Sequence, residues 1–75
     1  MPVYKVIYDF LRIRKGPSTT DECVGYYYYG DRINSGGYPF ESEGRMWVQY
    51  YGASTGVRLY VCHTDRDGTR YLEEV

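Results

Sequence analysis

Short apolar segments recur along the chain, and residues that favour turns separate them. Within each segment, apolar and polar side chains alternate or β-branched and aromatic residues run together, which is typical of β-strands. Five segments show this pattern: Val3 to Arg14, Cys23 to Ile33, Met46 to Tyr51, Val57 to Thr64 and Thr69 to Val75. No helix is evident, so the pattern predicts an all-β fold of short strands.

The first segment breaks near Asp9, which predicts two short strands joined by a kink. In the second of them, Leu11 and Ile13 are expected on one face and Arg12 and Arg14 on the other, because side chains alternate along a strand. An arginine on such a strand suits a bidentate bond to a carboxylate. For Arg14 the favoured expectation is instead an intramolecular one, the anchoring of the loop that follows.

That loop runs from Lys15 to Glu22, where turn-forming residues predict an exposed segment reversed at a Gly-Pro step. The next strand, Cys23 to Ile33, is expected to bulge at Gly25 and to turn again at Gly30-Asp31. The polar stretch from 34 to 45 predicts a long mobile loop. Its aromatic residues are expected to form either a lip over a binding groove or a lid over the core.

Alternation in the segment Met46 to Tyr51 divides it between two faces. The inward set is predicted to be Met46, Val48 and Tyr50, and the outward set Trp47, Gln49 and Tyr51. The last two segments predict a hairpin around residues 65–68. Because the chain has only 75 residues, we expect one domain covering residues 1–75. A small β-barrel is the architecture that fits this length best.

Composition excludes several functions. Nine basic and ten acidic residues give a net charge of −1, so the positive field that drives nucleic-acid binding is absent. The sequence shows neither a membrane span nor a signal peptide, and export would have to be encoded in a longer parent chain. Outside an exported or phage lytic protein, a cytoplasmic location is expected.

Catalytic and metal chemistry also find little support. Cysteine catalysis needs a thiol beside a base, but Cys62 and His63 are neighbours in the sequence and point to opposite faces of a strand. Cys23 with His63 is the one conceivable catalytic pair. The favoured interpretation is instead a packed thiol and a surface histidine. The two cysteines are read either as buried thiols, the favoured alternative, or as a bridge. We therefore expect no catalytic residue, no metal and no cofactor.

Tyrosine is the unusual feature of the composition, with eleven Tyr against two Phe. A core of this size cannot enclose so many hydroxyls, so some rings must lie at the surface. They predict either a shallow aromatic groove for a ligand or rings that only stabilise the strands. The candidate ligand-binding residues are Tyr26, Tyr28, Tyr38, Trp47, Tyr51 and Arg14.

The first half of the chain carries a resemblance to a known family. The segment LRIRKGPSTTDECVGYYYYGDRI resembles the bacterial SH3-like domain family at ten positions: Leu11, Ile13, Arg14, Gly16, Pro17, Ser18, Val24, Gly25, Gly30 and Ile33. More loosely, Met46 to Tyr50 stands where that family has a Trp-Tyr-x-Val strand, and Tyr71-Leu72 is similar to its closing Tyr-Leu.

The resemblance implies a small SH3-like β-barrel and a non-catalytic module. Such modules are often attached to peptidoglycan hydrolases, so the expected ligand is peptidoglycan or its peptides, the expected location is the cell envelope or the exterior, and a linked cell-wall hydrolase domain is an expected partner. The alternative is an intracellular or phage-encoded module that binds a peptide segment of another protein.

Overall fold

The computed structural model describes residues 2–35, 37–52 and 55–75, which form β-strands and turns without a helix. The eight strands are β1 (Val3–Val6), β2 (Phe10–Arg14), β3 (Cys23–Tyr28), β4 (Arg32–Asn34), β5 (Phe40–Ser42), β6 (Arg45–Tyr51), β7 (Arg58–Thr64) and β8 (Leu72–Glu74). The all-β prediction is therefore confirmed. Within the described ranges no helix has the length and apolar character needed to cross a membrane.

The strands form two antiparallel sheets. One has three strands in the order β4-β1-β8, and the other has five in the order β3-β2-β7-β6-β5. The break expected near Asp9 lies between β1 and β2, and it sends these consecutive strands into different sheets. The core is formed by eight buried residues from both sheets: Tyr4, Val6, Leu11, Ile33, Val48, Tyr50, Val61 and Leu72.

The local features predicted for β3 are confirmed. Gly25 lies opposite Ile13 while Cys23 lies opposite Arg14, so Val24 has no partner in β2 and forms a bulge. The strand then turns at Gly30, whose φ of 93° lies in the left-handed region that glycine adopts without strain. Burial alternates along β3 as expected, since Tyr27 packs against the core between two exposed tyrosines.

The expectation of one long loop over residues 34–45 is wrong in its second half. Residues 40–42 form β5, which pairs with β6 in the register Phe40 with Trp47 and Ser42 with Arg45. Glu43 and Gly44 connect the two strands with φ values of 57° and 73°, the pair of positive angles that closes a two-residue hairpin. The strand was missed because β5 is short, follows Pro39 and contains two polar residues, Glu41 and Ser42.

The hairpin expected around residues 65–68 is only partly formed. The turn is present, with Asp65 N–H donating to Thr69 O at 2.8 Å, and a single bridge joins Thr64 to Arg70. The chain then leaves β7, and β8 pairs with β1 instead. This exchange buries Leu72 completely, directly opposite Val6, so apolar burial favours the pairing with β1.

Candidate functional site

A cleft of about 280 Å³ opens beside strands β2, β6 and β7 of the five-stranded sheet. It borders the core, because Leu11 of the core lies in its wall together with Cys62 and Tyr71, which pack against the core. The residues that line the cleft are Tyr8, Phe10, Leu11, Arg12, Arg14, Thr19, Arg45, Trp47, Cys62, Asp65 and Tyr71. Aromatic rings and arginines dominate this set, with Asp65 as its one carboxylate.

Trp47 lies in the wall of this cleft but is not exposed. The prediction that its indole is accessible to solvent is therefore wrong. The side chain points to the outer face as expected, yet only 1% of its surface is accessible. Phe40 and Cys62 lie directly opposite it on the neighbouring strands, and its Nε1–H donates to Ser42 O at 3.0 Å. Phe40 and Cys62 thus flank the indole, which is enclosed behind the surface of the cleft.

Arg14 holds the loop 15–22 against the cleft, as the sequence predicted. Its Nη1 donates to Asp21 O at 2.9 Å. The same loop approaches itself closely at Gly16, where any Cβ would collide with the Asp21 carboxylate. Thr19 therefore reaches the cleft on a loop whose two ends are fixed.

Asp65 is bonded at both carboxylate oxygens. Arg45 Nε donates to Oδ1 at 2.9 Å and the Tyr71 hydroxyl donates to Oδ2 at 2.6 Å, while the Arg66 amide also donates to Oδ1 at 2.7 Å. The Tyr71 hydrogen bond, followed by the Arg66 amide and Arg45, lowers the pKa of Asp65 below its ordinary value. The network fixes one end of the cleft, and its carboxylate is ionised at neutral pH.

Replacement of this carboxylate should change the pH dependence of folding. Since the folded pKa of Asp65 is depressed, its contribution is present above the unfolded value of about 4 and is lost as pH falls through the folded value. We expect Asp65→Asn to lower the free energy of unfolding by about 1–3 kcal/mol at pH 7, with the difference from wild type shrinking below about pH 4. Urea denaturation at several pH values measures the difference in unfolding free energy between variant and wild type. Glu73→Gln, which removes an exposed carboxylate, is the control. A difference that does not change with pH would contradict the hydrogen-bond network at Asp65.

The exposed rings of β2 and β3 extend the cleft to one side. Phe10 and Tyr26 pack edge to face with centroids 6.1 Å apart, and the Arg12 guanidinium lies 5.3 Å from the centroid of Phe10. Tyr28 lies opposite Phe10 in the register and is 60% exposed. The outward orientation predicted for Tyr26 and Tyr28 is therefore confirmed, next to the cleft.

Tyr38 and Tyr51 lie elsewhere. Together with Gly37, Phe40 and Gln49 they line a second, shallow depression near the β5 edge of the sheet, opposite to the β3 edge that carries Tyr26 and Tyr28. Tyr38 is 72% exposed, which is the behaviour expected of a lip, whereas Phe40 is half-buried beside Tyr60. The six candidate residues thus divide between two places and do not form one groove.

The cysteines and the histidine have separate structural partners, and both cysteines are free thiols. Cys23 Sγ donates to Gly25 O at 3.3 Å, while His63 Nδ1 and Thr64 Oγ1 are 2.7 Å apart. Burial raises the pKa of Cys62 to about 11, so the thiol that lines the cleft is protonated at neutral pH. Among the described residues no group of three or more His, Cys, Asp or Glu side chains is arranged to hold a metal.

Sequence reasoning missed several residues of the cleft: Tyr8, Phe10, Arg45, Asp65 and Tyr71. They come from four separate parts of the chain, and the Tyr8–Tyr71 contact, with centroids 4.9 Å apart, exists only because β8 returns to β1. One signal was available. The kink near Asp9 leaves Tyr8 between two strands, and the rings on both sides of Asp9, Tyr8 and Phe10, are exposed.

Comparison with known proteins finds similarity to solved structures only. No protein-family model matches the chain, and no curated protein matches it. A crystal structure of Ly7917 is 31% identical with a TM-score of 0.74, covering 97% of this chain and 32% of that chain. The crystal structure of Ly7917 with the hydrolyzing product of MDP is 30% identical with a TM-score of 0.75, covering 99% of this chain and again 32% of that chain. The chain is thus similar, over nearly its whole length, to about a third of Ly7917.

Proposed function

We propose that this chain is a non-catalytic binding module that recognises the peptide part of peptidoglycan through the cleft beside strands β2, β6 and β7. The observation that carries the proposal is the composition of that cleft. Three guanidinium groups and one carboxylate line it, beside the rings of Tyr8, Phe10 and Tyr71. Such a surface suits a short peptide that ends in, or carries, carboxylates.

The three arginines of the cleft have different roles in this proposal. Arg14 is bonded to Asp21 O and Arg45 to the Asp65 carboxylate, so both are used in holding the protein together. Arg12 is exposed and lies over the face of Phe10, and within the described part of the chain its guanidinium forms no hydrogen bond or salt bridge. Arg12 is therefore the arginine we assign to the ligand's carboxylate, because its fork of donors is available and its position is fixed by the ring.

A structural comparison supports the proposal. Ly7917 has been crystallised with the hydrolyzing product of MDP, and this chain is similar to about a third of Ly7917. The resemblance of Leu11 to Ile33 to the bacterial SH3-like family agrees with a cell-wall role. We accordingly propose that the two sheets form an SH3-like barrel, and that the module works at the cell envelope or outside the cell beside a hydrolase domain of a longer protein.

Sedimentation with purified cell walls tests the proposed function. We expect the chain to be retained by purified peptidoglycan and released by soluble stem-peptide fragments, because the cleft recognises the peptide and not the polymer. Isolated glycan strands without peptides serve as the matched control and should retain less protein. Absence of retention would contradict the proposal and favour the alternative of a module that binds a segment of another protein. Equal retention by the glycan strands alone would contradict recognition of the peptide.

A further inference from the structure

The shallow depression near the β5 edge has no part in the peptide recognition proposed for the cleft. Its volume is about 280 Å³, and it shares no lining residue with the cleft. None of the five described residues that line it is charged, whereas three arginines and one aspartate line the cleft. A charged ligand would lose hydration in the depression without gaining an opposite charge from its lining. The depression therefore suits a neutral ligand.

Two exposed aromatic rings provide the apolar part of this surface. Tyr38 is 72% exposed and Tyr51 is 55% exposed. Phe40 lies beside them, half-buried against Tyr60 with the ring centroids 6.1 Å apart. The face of an aromatic ring carries partial negative charge, which attracts the C–H hydrogens of a saturated ring laid flat on it. The C–H face of a sugar ring has this chemistry, and the hydroxyls at its rim stay in water.

Gln49 adds a polar group to the same surface. It lies two residues before Tyr51 on β6 and so faces the same side of the sheet. Among the described residues its carboxamide has no hydrogen-bond partner, although it lines the depression. A carboxamide offers two N–H donors and one oxygen acceptor. It can therefore bond the hydroxyl or acetamido groups that a sugar presents.

A buried hydroxyl holds the two sides of the depression together. Ser35 is 1% exposed, and its Oγ lies 3.0 Å from Gln49 O and 2.7 Å from Gly37 O. The same oxygen accepts a hydrogen bond from the Gly37 amide at 3.0 Å. Gly37 and Gln49 both line the depression, so its main-chain framework is formed without a ligand. A surface that is already in place avoids part of the ordering cost of binding.

We propose that this depression binds a sugar unit of a glycan, with the C–H face of the sugar ring on Tyr38 and Tyr51 and its polar groups bonded to Gln49. The volume lies near the lower limit of about 300 Å³ for small-molecule pockets, which suits one or two sugar rings. Stem peptides fit poorly, because their carboxylates find no charged partner in the lining. Since the cleft and the depression share no residue, this proposal stands independently of peptide binding in the cleft.

Amide NMR during titration with a peptide-free oligosaccharide of N-acetylglucosamine tests the site. We expect the amides of Gly37, Tyr38, Gln49 and Tyr51 to shift and to saturate with one Kd of about 1 mM, a weak affinity typical of few contacts. The Phe10 amide in the cleft should not move. No shift at about 20 mM sugar, or shifts at Phe10 alone, would overturn the proposal. Displacement of the sugar by a stem peptide would overturn it as well. The probe contains no peptide, so these results do not depend on the function of the cleft.

Two variants and a control locate the contact. Tyr51→Ala removes one ring and Gln49→Leu removes the carboxamide at similar side-chain volume, and each should raise the Kd for the oligosaccharide about two- to tenfold. Tyr29→Ala removes a tyrosine that is 64% exposed and lines neither the cleft nor the depression, so its Kd should equal that of the wild type. Circular dichroism checks that all three are folded. An unchanged Kd in Tyr51→Ala or in Gln49→Leu, or an equal rise in Tyr29→Ala, would overturn the assignment.

Discussion

Replacement of Trp47 by alanine is expected to cost about 3–5 kcal/mol of folding free energy, the range for truncating a buried tryptophan. The side chain is 1% exposed, and the substitution empties the space between Phe40 and Cys62. A chain of 75 residues has a total stability of the order of 4–11 kcal/mol. We therefore expect urea denaturation to find Trp47→Ala close to unfolding at 25 °C.

Two controls separate packing from the hydrogen bond. Trp47→Phe keeps a ring but loses the Nε1–H bond to Ser42 O, and it should cost less than the alanine variant. Tyr51→Ala removes an aromatic residue that is 55% exposed on the same strand and should change stability by less than about 1 kcal/mol. If Trp47→Ala were as stable as Tyr51→Ala, the indole would not be part of the core.

Replacement of Arg12 by alanine should reduce the affinity for a carboxylate-bearing stem peptide by about 10–150-fold. The estimate follows from about 1.5–3 kcal/mol for hydrogen bonds to charged groups, at 1.4 kcal/mol for each factor of ten. Stability should change little because the Arg12 side chain is exposed. Isothermal titration with the soluble peptide measures the affinity of both proteins.

The matched control for Arg12 is Arg58. It is also exposed and also lies near an aromatic ring, with its guanidinium 6.0 Å from the centroid of Tyr51, but it does not line the cleft. Arg58→Ala should therefore bind the peptide as the wild type does. An equal loss in the two variants would mean that net charge, and not a contact in the cleft, determines binding; no loss in Arg12→Ala would contradict the role given to this residue.

The sequence alone predicted those features of the fold that depend on a single strand or a single loop. The faces of Leu11, Ile13 and Tyr27 follow from alternation, and the bond from Arg14 to the loop joins residues only seven positions apart. Gly25 marked the bulge, which falls on the neighbouring Val24. Gly30 marked the turn after β3, because few other residues tolerate its φ of 93°. These features depend on neighbours in the chain, which a single sequence displays.

The cleft could not be predicted because its residues meet only through pairing between distant strands. Alternation assigned Trp47 to the outer face correctly, but whether that face is covered depends on β5, which pairs beside it and was read as loop. Likewise, Tyr71 reaches Tyr8 and Asp65 because β8 leaves β7 to pair with β1. Whether a side chain on the solvent-facing side of a sheet is buried depends on which distant strands pair beside it. The local sequence pattern carries little information about that pairing.

The proposed site is tested most directly by following the indole N–H resonance of Trp47 during titration with a soluble stem peptide. Trp47 is the chain's single tryptophan, so its signal is unambiguous, and the residue lines the cleft. We expect this resonance and the amides of Phe10 and Arg12 to shift together and to saturate with one affinity. Shifts confined to Tyr38 and Tyr51, or no shift at saturating peptide, would contradict the assignment of the cleft as the binding site.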